Sequence, residues 1–341
     1  MKTDWNVFVT ARAFFDSGLD AKASLEAIGC KIEFAEKWGP VPASSLIDQM
    51  KHSDAVIAAT DAYTNDVFDA CQSLKLVARC GVGIDSVSLD DATNAGVIVT
   101  NVPDAMTDAV ADYCLGLILA SVRRICDGSE CMKTGGWTEF RGFELAGKVL
   151  GLVGFGKIGQ AVMRRAIGFG MSVIAHDPFY AESIRRNQFP GVEFVELDEV
   201  FSRSRIVSIH APNQPNTMHL VNANRLALMG SDAYLINTSR GKLIDEQALI
   251  DALVREQIAG AAIDVYQSEP LPSDHALRKV PRLLLTPHNA FNSIEAAIRM
   301  SDGCAQPILD LLSGKNPQCI CNPEVLTRPN LRIFLRTKTK L

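Results

Sequence analysis

The sequence predicts an α/β protein built from two Rossmann-like, doubly wound parallel-sheet domains with an active-site cleft between them. The chain of 341 residues is too long for one ordinary hydrophobic core. Short β-branched or aliphatic runs alternate with longer helical patterns, which is typical of a parallel sheet covered by helices on both faces. These runs form two series, and a long apolar segment lies between them.

The first series predicts the strands of one domain, and the connecting segment predicts a single long helix. The strands are "NVFVT", "DAVIAA", "LVARC" and "VIVTN". The connecting segment at residues 107–125, "TDAVADYCLGLILASVRRI", has apolar residues at only partly regular spacing. We therefore expect a helix that is buried on most of its faces.

The second series predicts six strands, enough for a complete doubly wound sheet. They are "KVLGLVG", "SVIAHD", "RIVSIHAP", "AYLINTS", "AGAAIDVY" and "RLLLTPH". Because the next helical segment, "SIEAAIRMSDGCAQPILDLLSG", follows a finished sheet, we expect it to pack on the first domain. The first domain is then discontinuous, with residues 1–102 and 292–341, and the inserted domain spans residues 103–291.

Composition and charge exclude several classes of protein. A formal charge of −5 supplies no basic field for nucleic acid or for an anionic membrane. The apolar stretch "YCLGLILASV" is too short to span a bilayer, and Asp4 precedes any apolar stretch that could form a signal peptide. Nine scattered cysteines form no paired C-x-x-C sets, which favours free thiols in a reducing cytoplasm and no metal site.

A glycine motif between the first strand and first helix of the second series predicts a dinucleotide site. The motif is Gly154-x-Gly156-x-x-Gly159. Gly154 suits a tight turn, Gly156 lets a pyrophosphate approach the backbone, and Gly159 lets the helix sit close to the sheet. The N–H groups at the start of that helix then face the phosphates.

Asp177 ends the next strand, at about the spacing of roughly 20 residues expected for a ribose-binding acid. A carboxylate accepts hydrogen bonds from the ribose hydroxyls and repels a 2′-phosphate, so the cofactor is predicted to be NAD. Arg185 and Arg186 lie further along and argue for some tolerance of NADP. The alternative for Asp177 is a purely local turn before Pro178.

Three polar residues follow consecutive strands of the second series: Arg240, Glu269 and His288. The carboxyl ends of parallel strands share one edge of a sheet, where ligands bind. Each residue also has a structural alternative, since Arg240 could pair with Asp245, Glu269 could cap a helix, and His288 could be a buried imidazole. Their coincidence on the edge that carries the predicted cofactor favours a catalytic site.

The chemistry of 2-oxo acid reduction needs these three residue types. Hydride addition at C2 leaves negative charge on the oxygen, and a histidine is suited to protonate it. A neighbouring carboxylate favours the imidazolium form. The substrate's own carboxylate needs a permanently charged bidentate partner, which a guanidinium provides.

Seven ordered motifs resemble those of the D-isomer-specific 2-hydroxyacid dehydrogenase family, which includes D-lactate, glycerate and 3-phosphoglycerate dehydrogenases. The resemblance runs from about residue 50 to residue 325, and its motifs read "RCGVGID", "NVPDAMTDAVADY", "GFGKIG", "HDP", "INTSRG", "AAIDVYQSEP" and "TPHNA". The resemblance implies that Arg240 binds the substrate, His288 is the acid/base and Glu269 sets its charge. It also implies that backbone amides around Val82 and Gly83 hold the substrate carboxylate.

The resemblance further implies a set of residues that contact NAD. They are Gly154, Gly156, Lys157, Ile158, Gly159, Asp177, Ala211, Pro212, Thr217, Thr238, Ser239, Asp264 and Thr107. Asp264 would bond the nicotinamide carboxamide, and the helix near Thr107 would approach the nicotinamide. The same helix would carry much of a homodimer interface.

The chain departs from the family pattern at a few positions. Phe291 is bulky where small residues are usual, and Asp112 replaces a glutamate. Ala59 and Asp61 stand where phosphoglycerate-type members carry an arginine, and Asp61 would repel a phosphate. We therefore expect a small 2-hydroxy acid with an uncharged tail as the substrate.

Two other functions compete with this prediction. One is an NAD(H)-sensing, corepressor-like protein that binds partner peptides, and the intact Arg/Glu/His set argues against it. The other is an enzyme of the same fold that oxidises formate or phosphite, and the predicted pairing of Glu269 with His288 argues against it.

Overall fold

The computed structural model describes residues 4–179 and 188–333. The chain divides into two compact units, Met1–Met106 with Asn292–Leu341, and Thr107–Phe291. Each unit contains one sheet in which every strand pair is parallel. The predicted fold class, two α/β domains with doubly wound parallel sheets, is confirmed.

The first unit is built on a five-stranded sheet with the order β2-β1-β3-β4-β5. Its strands are β1 Asn6–Val9, β2 Lys31–Phe34, β3 Ala55–Ala58, β4 Leu76–Arg79 and β5 Ile98–Thr100. Its helices are α1 Arg12–Ser17, α2 Leu19–Ala27, α3 Ala43–Met50, α4 Asn65–Ala70, α5 Leu89–Asn94 and, after the second unit, α12 Ile294–Leu312. All four residues of β3 are buried, as expected for a central strand covered on both faces.

Helix α12 is the longest helix of the first unit, and it packs on α1, α2 and β4. The Ser293 side chain caps it by accepting a hydrogen bond from the Ala296 N–H at 3.1 Å. At Gly303 the helix approaches Val102 so closely that an added Cβ would lie 2.4 Å from Val102 Cγ1. The glycine thus sets how near the helix lies to the chain after β5.

The second unit is built on a seven-stranded sheet with the order β12-β11-β10-β9-β6-β7-β8. Its strands are β6 Val149–Val153, β7 Ser172–His176, β8 Val192–Phe194, β9 Ile206–Ile209, β10 Tyr234–Asn237, β11 Gly260–Ile263 and β12 Leu283–Leu285. Its helices are α6 Thr107–Val122, α7 Ile125–Lys133, α8 Lys157–Gly168, α9 Leu197–Arg203, α10 Ala223–Leu228 and α11 Glu246–Val254. The strand order reverses between β6 and β9, and ligands bind at the carboxyl edge of such a switch point.

Short 3₁₀ turns complete the two units. In the second unit they are Gly241–Leu243 and Ala276–Lys279, and in the first unit Pro323–Thr327. The turn Gly241–Leu243 follows the Arg240 position directly. Nothing among the described helices is long and apolar enough to cross a membrane.

Two strands were missing from the predicted set, and both are edge strands. β2 and β8 contain the charged sequences "KIEF" and "VEF", and no residue of either strand is fully buried. An edge strand has only one neighbour and tolerates charged side chains, so it lacks the continuous apolar run by which central strands are predicted.

The single long helix predicted at residues 107–125 is wrong at its carboxyl end. α6 ends at Val122, and Arg124 takes the left-handed conformation with φ of 53° before α7 begins. Two consecutive arginines are good helix formers, so local propensity gave no sign of the break. α6 itself is buried over most of its length, as predicted.

Candidate active site

The three glycines between β6 and α8 have different surroundings. Gly154 has φ of 95°, and a Cβ there would lie 2.6 Å from the carbonyl oxygen of His210. A Cβ on Gly159 would lie 2.5 Å from the carbonyl oxygen of Gly154. A Cβ on Gly156 would meet no heavy atom within 4 Å. The first and third glycines therefore close the turn, while the second leaves open space beside the first turn of α8, where a pyrophosphate fits.

Asp177 lies at the carboxyl end of β7 and is 9% exposed. One carboxylate oxygen accepts the backbone N–H of Phe155 in the glycine loop at 2.8 Å. The other accepts the N–H of Phe179 at 2.9 Å, so the local turn at Pro178 is also present. Each carboxylate oxygen can accept more than one hydrogen bond. Arg185 and Arg186 lie outside the described residues.

The loop after β9 contains Ala211, Pro212 and Thr217. The Thr217 hydroxyl donates to the Pro212 carbonyl at 2.8 Å and accepts the Gln214 N–H at 2.8 Å, so it holds the loop in one conformation. Thr238 follows β10 and is 9% exposed. Its Oγ1 is buried without a hydrogen-bond partner in the described part of the chain. Such a group needs a partner, which a bound cofactor can supply.

The backbone around Arg240 is fixed by a residue that was not predicted from the sequence, Asn237. Asn237 is fully buried; its Oδ1 accepts the Ser239 N–H at 3.0 Å, and its Nδ2 donates to the Arg240 carbonyl at 2.9 Å. The Ser239 hydroxyl in turn donates to the Ile209 carbonyl at 2.7 Å. The sequence feature that could have identified Asn237 is an amide side chain in the buried run "LIN", because a buried polar side chain needs hydrogen-bond partners.

Glu269 and His288 are paired. Nδ1 of His288 lies 2.6 Å from Oε2 of Glu269, and each side chain is about a third exposed. Burial acts to raise the pKa of the Glu269 carboxyl. The hydrogen bond and charge of His288, the N–H of Tyr266 and the charge of Arg240 outweigh it, so the pKa of Glu269 is lowered. Arg240 therefore acts electrostatically on the pair, and the structure brings the three predicted residues together.

The carboxylates named in two of the structural alternatives have other hydrogen-bond partners among the described residues. Glu269 caps no helix, since its second oxygen accepts the Tyr266 N–H at 2.9 Å. Asp245, the alternative partner of Arg240, accepts the Ala248 N–H at 3.1 Å and caps α11.

The loop that carries His288 is held by Asp264. His288 has φ of 49°, and its N–H donates to the Asp264 carbonyl at 2.8 Å. The Asp264 carboxylate is fully buried and accepts the Thr286 hydroxyl at 2.6 Å and the N–H groups of Asn289 and Ala290 at 2.9 and 2.8 Å. Asp264 therefore fixes the loop that carries His288.

A second histidine near the glycine loop is unsuited to proton transfer. Burial lowers the pKa of His210 to about 4, so its imidazole is neutral near pH 7. Its Nε2 lies 2.9 Å from the Ser208 hydroxyl.

The remaining predicted cofactor contacts line the start of two helices. Lys157 is the exposed first residue of α8, and Ile158 is half-buried against the core of the second unit. Thr107 is the first residue of α6 and is half-buried.

The Phe291 ring stands edge-on to the His288 ring, with centroids 6.1 Å apart. Among the described residues, no group of three or more His, Cys, Asp or Glu side chains could hold a metal ion.

In the first unit, Val82 and Gly83 lie in the loop after β4. Val82 is 38% exposed, and its carbonyl accepts the Asn101 side-chain amide at 2.8 Å. Asp61 is fully buried and accepts the Val41 N–H at 3.1 Å, so it presents no carboxylate to solvent. The predicted repulsion of a phosphate by Asp61 therefore does not apply. The lack of an arginine at positions 59 and 61 still argues against a phosphorylated substrate.

Known proteins resemble the chain in sequence and in structure. The family model "D-isomer specific 2-hydroxyacid dehydrogenase, NAD binding domain" matches residues 115–290. A glyoxylate reductase of Thermofilum pendens is 39% identical over 299 residues, which cover 86% of this chain and 88% of that protein. A D-3-phosphoglycerate dehydrogenase of Methanocaldococcus jannaschii is 35% identical, over 89% of this chain and 57% of that protein.

A solved structure shows the same fold. The apo-structure of D-lactate dehydrogenase from Escherichia coli matches with a TM-score of 0.81 and 29% identity, over 94% of this chain and 100% of that one. The family model and these relatives together show that the chain belongs to the D-isomer-specific 2-hydroxyacid dehydrogenase family and is an NAD-dependent dehydrogenase.

Proposed function

We propose that this protein reduces a small 2-oxo acid to the D-2-hydroxy acid with NADH. In this proposal Arg240 clamps the substrate carboxylate, His288 exchanges the proton on the C2 oxygen, and Glu269 forms the acid/base pair with His288. Backbone amides around Val82 and Gly83 bind the carboxylate from the first unit. The unit Thr107–Phe291 is the NAD-binding domain, and the other unit binds the substrate.

The observation that carries the proposal is the pairing of Glu269 with His288 in the electrostatic reach of Arg240. The three residues follow strands β10, β11 and β12, whose carboxyl ends share one edge of the sheet. A guanidinium there can bind a carboxylate in bidentate fashion. An imidazole whose Nδ1 is engaged by a carboxylate presents Nε2 as the proton-transfer atom.

The residues of the glycine loop fit NAD. When bound, the cofactor supplies the hydride. Gly156 leaves space for the pyrophosphate, Asp177 places a carboxylate at the end of β7 to accept from the ribose hydroxyls, and the Thr238 hydroxyl has no hydrogen-bond partner among the described residues. The negative charge of Asp177 favours NADH over NADPH by repelling a 2′-phosphate.

A small 2-oxo acid with an uncharged tail is the favoured substrate. No arginine stands at Ala59 or Asp61 to hold a phosphate. The glyoxylate reductase of Thermofilum pendens supports the same class of substrate. We therefore place glyoxylate, hydroxypyruvate and pyruvate ahead of phosphohydroxypyruvate.

NADH consumption with these four acids and with bulkier 2-oxo acids tests the proposal. The expected result is turnover of at least one small acid, with kcat/KM well above that for phosphohydroxypyruvate. His288→Ala is expected to abolish turnover, and the exposed Asp198→Ala serves as the control. Normal turnover by His288→Ala would show that another group donates the proton.

We also propose a homodimer whose interface includes the region around α7. None of the residues of α7 is buried, and Ile125, Met132 and Trp137 are 56, 55 and 85% exposed. Large exposed apolar side chains grouped along one stretch of chain are typical of an interface. Sedimentation equilibrium of the wild type and of Trp137→Lys tests this, and a dimer unaffected by the substitution would place the interface elsewhere.

A further inference from the structure

The segment between β11 and Glu269 is held by a residue outside the catalytic set. Oε1 of Glu246, the first residue of α11, accepts the backbone N–H of Gln267 at 2.8 Å. Only 12% of the Glu246 side chain is exposed, and its other carboxylate oxygen lies 3.6 Å from Nε2 of His275. A largely buried carboxylate that accepts a backbone N–H at this distance forms a strong, charge-assisted hydrogen bond.

The Gln267 side chain fastens the same segment to the chain that follows Arg240. Its Nε2 donates to the Ile244 carbonyl at 2.8 Å. Gln267 is exposed, so this contact lies at the surface of the second unit. Because Glu246 follows Ile244 by two residues, both hydrogen bonds tie Gln267 to one short stretch of chain at the start of α11.

The turn after Arg240 also touches this segment. A Cβ on Gly241 would lie 1.9 Å from the carbonyl carbon of Tyr266 and 2.5 Å from the nitrogen of Gln267. No side chain fits there without a shift of the backbone, so Gly241 lets the two pieces of chain lie in direct contact. Backbone packing therefore sets the distance between the Arg240 turn and the segment that leads to Glu269.

These contacts reach the acid/base pair in two further steps. Tyr266, the residue before Gln267, donates its N–H to Oε1 of Glu269 at 2.9 Å. Oε2 of Glu269 lies 2.6 Å from Nδ1 of His288. A displacement of Gln267 therefore moves Tyr266 and, with it, the carboxylate that orients the imidazole.

We propose that Glu246 is a positioning residue of the reaction, because its hydrogen bond to Gln267 fixes the place of the Glu269 carboxylate. It acts through the backbone of the segment and not on the substrate. The inference rests on the proposed function, in which Glu269 and His288 are the acid/base pair. A displacement of about 1 Å in such a site can cost roughly a hundredfold in rate.

Glu246 also has a structural effect, which must be separated from this role. It lies in the first turn of α11, where a negative charge stabilises a helix. An effect on the helix alone would lower the stability of the fold and leave kcat of the folded protein unchanged. A positioning role lowers kcat and leaves the binding of NADH unchanged.

The test compares Glu246→Ala with the wild type in the NADH-dependent reduction of the 2-oxo acid that the wild type turns over best. We expect kcat to fall roughly tenfold, with KM for the 2-oxo acid and the dissociation constant for NADH within about twofold of wild type. Glu246→Gln keeps an oxygen that can accept the Gln267 N–H, so it should recover most of the lost kcat. Asp251→Ala is the matched control in the same helix, because the Asp251 carboxylate accepts the exposed Gln247 side chain at 2.9 Å.

A double-mutant cycle tests whether Glu246 acts through Glu269. In the Glu269→Gln background, Glu246→Ala should lower kcat by less than about twofold more, because the carboxylate that it positions is already lost. Gln267→Leu removes the side-chain link to Ile244 without a change in α11, and it should lower kcat in the same direction. If Glu246→Ala does not fold, Gln267→Leu takes its place in the cycle.

An unchanged kcat in folded Glu246→Ala would overturn the inference. So would an equal loss of kcat from Glu246→Ala in the presence and in the absence of Glu269→Gln. A wild type that turns over no 2-oxo acid would instead overturn the proposed function.

Discussion

Nδ1 of His288 lies 2.6 Å from Oε2 of Glu269, and the other oxygen of that carboxylate accepts the backbone N–H of Tyr266 at 2.9 Å. The carboxylate is therefore held from two sides, and the imidazole ring has one orientation relative to the strand edge. The Tyr266 hydroxyl also donates to the Thr286 carbonyl at 2.7 Å, two residues before the histidine. One short segment after β11 thus positions both members of the pair.

Glu269→Gln is expected to lower kcat for reduction. The carboxylate accepts hydrogen bonds from His288 Nδ1 and from the Tyr266 N–H, and an amide presents its oxygen to only one of these two donors. The imidazole is then oriented less well, so kcat with saturating NADH should fall by roughly tenfold or more. An unchanged kcat in this variant would show that the pairing does not position the imidazole.

The same pair should contribute to stability in a pH-dependent way. The pKa of the Glu269 carboxyl is lowered in the folded state, so its contribution is fully present above the unfolded value of about 4.3 and is lost as pH falls through the folded value. In urea unfolding, the wild type should exceed Glu269→Gln in stability at pH 7, with a smaller difference near pH 3. An equal difference at both values would contradict the lowered pKa.

Arg240→Lys is expected to impair substrate binding and to spare the cofactor. Lysine keeps the charge but loses the bidentate fork, so KM for the 2-oxo acid should rise by roughly one to two orders of magnitude. The dissociation constant for NADH, measured by fluorescence titration, should stay near the wild-type value. Lys242, exposed two residues later, supplies the control Lys242→Arg. An equal loss of NADH affinity would place Arg240 in the cofactor site.

The two glycines of the phosphate loop should respond differently to alanine. Gly154→Ala puts a side chain into a backbone conformation with φ of 95° and against the His210 carbonyl, so the fold should lose roughly 2 kcal/mol or more. Gly156→Ala meets no protein atom within 4 Å, so its melting temperature should be near that of the wild type. Its affinity for NADH should nevertheless fall, because the methyl group occupies the approach to the pyrophosphate. Tight NADH binding by Gly156→Ala would show that the pyrophosphate lies elsewhere.

The sequence predicted the central strands, the glycine loop and the residues at the strand ends because each has a strong local signal. Gly154 and Asp177 are at the expected spacing, and β9 to β12 are apolar runs followed by polar residues. The edge strands β2 and β8 were not predicted, because exposed strands need no apolar run.

Contacts made at long range could not be predicted in the same way. Nothing in "TPHNA" shows that the N–H groups of Asn289 and Ala290 bind a carboxylate more than twenty positions earlier. Pairings of this kind are set by the tertiary fold.

Asp264→Asn is expected to loosen the histidine loop. The fully buried carboxylate accepts three donors, the Thr286 hydroxyl and two N–H groups, and an amide has only one oxygen. In either orientation its NH₂ group faces at least one N–H donor that was bound before, which costs about 1–3 kcal/mol. The melting temperature should fall, and kcat should fall with it, because the loop holds His288 in a left-handed conformation.

Asp198→Asn provides the matched control for that substitution. Its side chain is 66% exposed and pairs with Arg225, so the same change of acid to amide should alter stability by less than about 0.5 kcal/mol. In Asp264→Asn the rate with saturating NADH should still be reduced, because the defect lies in the position of the imidazole and added cofactor cannot restore it. Full recovery of kcat at high NADH would instead mean that Asp264 acts mainly on cofactor binding.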